Sequence, residues 1–112
     1  MRSTDRYAFE DIRCEIGGAS LPVANLSLGG FFVACVPPLP RGQGVAFELV
    51  FPSGGRIPAL GRVAWVNGTD EAGNPQLPVG CGISITKIAF PDKLALVQVL
   101  KRASTPPVRQ SV

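Results

Sequence analysis

Histidine is absent from all 112 residues, and the three cysteines, Cys14, Cys35 and Cys81, stand far apart in the chain. A transition-metal centre would therefore lack its usual ligands, and an odd number of widely spaced thiols builds no disulfide framework. The cysteines read as buried thiols within strands. Also missing are an apolar run long enough to span a bilayer and, between Met1 and Asp11, the hydrophobic core of a signal peptide. The expected setting is thus cytoplasmic, with no membrane. There is no GxxxxGKS/T phosphate loop, no persuasive pair of carboxylates and no activated nucleophile. An enzyme is the least expected class, and no catalytic or metal-binding residue is assigned.

What the chain does hold is glycine and proline, 13 and 11 of them, with 46% hydrophobic residues. Such frequent punctuation cuts the sequence into short pieces and favours brief strands over long helices, in one domain whose single core needs every strand. The net charge of +3 comes from 11 basic and 8 acidic residues. An excess this small suits a compact anionic ligand better than a long nucleic acid, which needs a stronger basic footprint.

Taken in order, residues 1–6 form a polar, arginine-bearing arm. Tyr7 to Ile16 alternates, with Ile12, Cys14 and Ile16 on one face, and predicts a half-buried strand. Gly17-Gly18 supplies a hairpin turn, and Ser20 to Leu26 returns, with Pro22 indicating an edge or an irregular start. Phe31 to Val36 is apolar on both faces, so one face meets the core and the other a helix or a partner. After a proline-rich break, Val45 to Phe51 alternates well and turns at Pro52 to Gly55. Arg56 to Asn67 follows, with Val63 and Trp65 on the same side, and then a polar loop over Thr69 to Pro78. In the last strand Val79, Cys81, Ile83 and Ile85 alternate with Gly80, Gly82, Ser84 and Thr86. The small residues would let a backbone or a flat group approach closely. Only Phe90 to Arg102 reads as helical: Pro91 suits the first turn, Asp92 and Lys101-Arg102 complement the dipole, and Phe90, Leu94, Val97 and Leu100 share a face. Residues 103–112 read as a disordered tail.

Two short patterns carry the chemistry. Arg2 and Arg6 are separated by three residues in the leading arm, and Asn25-x-Ser27-x-x-Gly30 forms a polar turn between two apolar strands. In this order, with Gly61-x-Val63-x-Trp65 and Gly80-x-Gly82-Ile83 further on, the chain resembles the PilZ family, bacterial receptors of cyclic di-GMP marked by RxxxR followed by D/N-x-S-x-x-G. The resemblance covers nearly all of residues 2–101 and implies a small six-stranded antiparallel β-barrel with a C-terminal α-helix, a single domain over 1–102. It carries Arg2 and Arg6 over as a clasp on ligand phosphate and base, Asn25 and Ser27 as hydrogen-bonding partners of a guanine, and Gly30 as the residue that permits the tight backbone. Those residue types suit such a ligand, because guanidinium binds phosphate oxygens or guanine O6 and N7 in a forked manner and stacks on a purine. At Gly30 a side chain would cost either positive-φ strain or room for the ligand. Met1 stands where relatives holding a stacked ligand pair carry a basic residue, which implies one nucleotide per chain.

The resemblance implies a receptor that changes conformation on binding cyclic di-GMP and relays the signal to a partner protein. The alternative is a barrel without the ligand, docking on motility, type IV pilus or signalling proteins through Phe31, Phe32 and the Pro37–Pro40 segment. A single-strand nucleic-acid binder fits less well, because most of the six phenylalanines fall on inward faces. Trp65 has two readings, a base-stacking platform or a core residue, and the core reading is preferred.

Overall fold

The computed structural model describes residues 7–8, 11–68 and 77–104. Seven strands and one helix follow in order: β1 (Tyr7–Ala8), β2 (Arg13–Ile16), β3 (Ala19–Leu26), β4 (Gly30–Ala34), β5 (Gly44–Val50), β6 (Arg56–Asn67), β7 (Gly80–Ile88) and α1 (Phe90–Ser104). All pairings are antiparallel, and the spatial order β3-β2-β5-β6-β7-β4 closes because β4 also pairs with β3. The result is a six-stranded barrel with the two-residue β1 added beside β3. Closure removes the exposed sheet edges that so small a domain would otherwise leave open.

The single strand expected over Tyr7 to Ile16 is two. Tyr7 opposes Leu26 while Arg13 opposes Pro22, so six steps on one side run against four on the other, and β1 and β2 cannot share one register. The β2–β3 connection through Gly17 and Gly18, both at positive φ, is a turn that glycine enters without strain. Pro22 is exposed where β3 has not yet met β4, whose pairing starts at Val23, as a residue without an N–H donor requires.

The core follows the predicted alternation of β5, whose Val45, Phe47 and Leu49 point inward with Phe51 just beyond, joined by Ile12, Cys14, Val23, Leu26, Phe31, Val33, Ile57, Val63, Cys81 and Ile83. Phe31 and Phe47 meet edge to face at 4.8 Å between ring centroids. Burial, more than the neighbouring thiols, pushes the Cys14 thiol up to about 12 and contributes most to raising Cys81 to about 11, while Cys35 Sγ lies 3.9 Å from Cys81 Sγ. The three cysteines are free.

The antiparallel order puts the β3–β4 turn, the β5–β6 turn and the end of β7 at one end of the barrel, and α1 packs there. Its inward residue is Leu96, 1% exposed, with Val99 and Leu100 beside it. The expected face is corrected: Phe90 is 71% exposed and Leu94 is half exposed. This sequence carries two apolar stripes on one helix, and Leu94 lies about 200° around the axis from Leu96, so periodicity alone could not choose between them. The helix also runs to Ser104, two residues past the expected end, and residues 105–112 of the expected tail lie outside the described residues.

Candidate functional site

The Asn25–Gly30 turn sits at the helix end of the barrel. Its geometry begins one residue earlier, with a β-bulge. The β3–β4 register shifts between Val23 and Asn25, so Val23 and Leu26 both enter the core although they are three positions apart. A period of two forbids that, and the bulge at Ala24 absorbs the odd residue and leaves Asn25 on the outer face, opposite Phe32 on one side and Ala8 on the other.

Ser27 is 2% exposed, its backbone N–H donates to the Gly30 carbonyl at 2.8 Å, and its hydroxyl donates to the same oxygen at 3.1 Å. This side chain staples the turn from within, satisfying a buried carbonyl that would otherwise be costly. Gly30 is required for a reason the sequence did not supply. Its φ is not positive, and a Cβ there would run into the backbone carbonyl of Ile83 in β7. The glycine lets β4 and β7 close on each other, and left-handed backbone is not what demands it. Gly29, by contrast, faces open space, and its carbonyl accepts the Ile85 N–H at 2.9 Å, tying the turn to β7.

Trp65 corrects the preference for the core. It is 37% exposed, and its indole lies over Gly82, where any Cβ would collide with it, and tilted against Phe32 at 5.3 Å between centroids. A second bulge is the cause: the β6–β7 register shifts between Val63 and Trp65, so Val63 opposes Ile83 inside while Trp65 opposes Gly82 outside. The flat group admitted by the small residues of β7 is therefore this protein's own indole. Asn25, Phe32, Gly82 and Trp65 are successive register partners across β3, β4, β7 and β6, one row on the outer face. Gly29, Gly30, Trp65 and Ser84 line a niche of about 50 Å³ beside that row.

Phe31 and Phe32 are both buried, the first in the core and the second beneath Trp65, so they cannot furnish the docking surface imagined for a ligand-free barrel. Arg2 and Arg6 lie outside the described residues. Tyr7, the residue after Arg6, pairs with Leu26, the residue before Ser27. Root of the arm and start of the turn are thus register neighbours.

Two grooves flank α1 at the same end. One, of about 520 Å³, is bounded by Leu28 and Gly29 of the turn, Ile85 to Ile88 of β7, and Lys93 and Leu96 of the helix. The other, of about 690 Å³, lies between Asp11-Ile12, the β5–β6 turn and the helix, with Arg56, Asp92 and Arg102 on its walls. Lys87 and Lys93 escaped the sequence reading. The available signal was Lys93 itself, a cation in the first turn of a helix, where the dipole disfavours it. Among the described residues no cluster of three histidine, cysteine, aspartate or glutamate side chains is placed to hold a metal ion, and no helix is long and apolar enough to cross a membrane.

A closed six-stranded antiparallel barrel with a C-terminal helix and this stapled turn defines the PilZ type of domain. The PilZ domain model matches residues 2–102, and the chain belongs to that family of cyclic di-GMP receptor domains. Among solved structures it is similar to the Bacillus subtilis inhibitor of motility MotI/DgrA, with a TM-score of 0.69 at 17% identity over 91% of this chain. The chain spans about half of that protein, 51% of its length, and the likeness is one of fold. No curated protein matches the sequence.

Proposed function

We propose that this domain is a cyclic di-GMP receptor that closes its leading arm over the Asn25–Gly30 turn and so alters the surface offered to a downstream protein. The observation that carries the reading is the pairing of Tyr7, the residue after Arg6, with Leu26 at the start of the turn. Arg2 and Arg6 supply forked cations for phosphate and guanine, and Asn25 supplies an amide to a guanine edge. Ser27 and Gly30 serve by holding the turn in shape. Trp65, in the same outer row as Asn25, offers a partly exposed ring on which a base can stack. A ligand gripped by a leading arm and a rigid turn binds one arrangement of the two better than others, which is the requirement for a switch.

Isothermal titration with cyclic di-GMP, with GTP and cyclic AMP as controls, tests the reading. Arg2→Ala or Arg6→Ala should each weaken binding roughly ten- to a hundredfold, since a charged hydrogen bond contributes ~1.5–3 kcal/mol, and the double variant should not bind. Hydrogen exchange over residues 1–7 should slow at saturation. A chain that gives no heat with cyclic di-GMP, and keeps its partner after both arginines are removed, would be a ligand-free docking module instead.

A further inference from the structure

We infer that Lys87 and Lys93 form an anion site in the groove that borders the Asn25–Gly30 turn, and that one phosphate of the cyclic dinucleotide is held there. The inference rests on the receptor reading above and adds a cationic wall beside the turn. Three observations converge on it.

The groove of about 520 Å³ shares Leu28 and Gly29 with the motif turn, so a ligand on that turn borders it directly. Its volume falls within the range of small-molecule clefts. Gly29 presents no side chain there and has open space where one would stand.

Both cations of the groove are exposed, and among the described residues neither has an ion-pair or hydrogen-bonding partner. Arg56, by contrast, is paired with Glu15 and Glu48 away from this groove. Among the described residues no acid lines this groove, and the helix's own first-turn acid, Asp92, faces the other one. Lys93 stands in the first turn of α1, where the dipole disfavours a cation, and an anion bound in the groove would offset that cost.

The ligand's chemistry then matches. Cyclic di-GMP carries two phosphodiesters on opposite sides of its ring, so a ligand bound at the turn can present one of them to the adjoining groove. Lysine suits this second place, because a compact, mobile ammonium tracks a phosphate as a point charge where forked geometry is not demanded.

Titration of cyclic di-GMP into the wild type, Lys87→Gln, Lys93→Gln and the double variant decides the matter, at two ionic strengths. At low salt each single variant should bind about threefold more weakly and the double about tenfold, the size expected of solvent-exposed charge pairs. The double variant should also lose much of the wild type's salt sensitivity. Lys87→Arg with Lys93→Arg should restore most of the affinity, which a merely structural role would not predict. If the wild type binds through Arg2 and Arg6 but the double glutamine variant binds equally well with the same salt response, the lysine site is wrong and the receptor stands. If the wild type does not bind, both fall.

Discussion

The two grooves beside α1 differ less in size than in what their charges are already doing. In the larger one, Arg56 reaches Glu15 Oε1 and Glu48 Oε1 at 2.6 and 3.1 Å, and those carboxylates hold its guanidinium above the usual arginine range. Asp11 and Asp92 add negative charge to the same walls. On neighbouring surfaces Arg13 donates to Ser20 and Arg62 to the Gly42 carbonyl. The smaller groove has lysines and, among the described residues, no acid. Cations engaged within the barrel hold strands and loops together and have little left for a ligand, whereas unengaged ones beside the motif turn can be matched by an anion. Location of positive charge therefore says less than its state of occupation.

The sharpest way to break that comparison is to disturb the turn that borders the lysine groove. Gly30→Ala drives a methyl into the Ile83 carbonyl, so β4 and β7 must part, and we expect a loss of ~2–3 kcal/mol together with loss of nucleotide binding. Gly29→Ala, one residue earlier, meets nothing and should leave stability within ~0.5 kcal/mol of wild type. Urea unfolding of the pair checks both, and equal destabilisation would refute the close-approach account of the motif glycine.

Alkaline pH should weaken both grooves together, because they rest on one core. The Cys14 thiol is raised by burial from 9.0 to about 12, so the folded state favours its neutral form. The associated stability is complete below pH 9.0 and is lost as pH climbs toward 12, at no more than about 1.4 kcal/mol per pH unit. Unfolding measured across that window should fall more steeply for wild type than for Cys14→Ala, whose starting stability is lower. Trp65→Ala offers a milder effect: it removes the only tryptophan, should weaken cyclic di-GMP by ~1–3 kcal/mol if a base stacks there, and should uncover Phe32. In the wild type the same ring should report ligand by a change in fluorescence.

Much of this architecture was legible because the barrel strands obey simple rules. Val45, Phe47, Leu49 and Phe51 announced their inward face, and Gly17-Gly18 and Pro52 to Gly55 announced their turns. The failures have a common physical origin. Bulges at Ala24 and Ala64 each insert one residue without any local signature, and each sends the next residues of its strand to the opposite face. One turns Asn25 outward opposite Ala8, and the other carries Trp65 from the expected core onto the surface. Ser27 was legible as part of a motif, but its hydrogen bonds to Gly30 depend on the closed turn. Gly30's necessity was visible and its cause was not, since the carbonyl it must admit lies on a strand more than fifty residues away in sequence. Lys87 and Lys93 look like ordinary surface charge until the fold brings them to one groove in which, among the described residues, no acid stands.

The smallest effect is also the most direct check on the role of occupation. Arg56 lies on the wall of the larger groove and is exposed in spite of its two carboxylate partners. Screened pairs of this kind contribute little to folding, because water and salt compete with them and long side chains must be held in place. Arg56→Ala should leave both the unfolding midpoint and the affinity for cyclic di-GMP unchanged within error, although it deletes the same formal charge as Lys87→Gln. Binding that fell equally in the two variants would mean that the ligand responds to the overall positive field. Loss confined to the lysine would mean that it responds to a cation the fold has left uncommitted, and the asymmetry of the two grooves would then be functional.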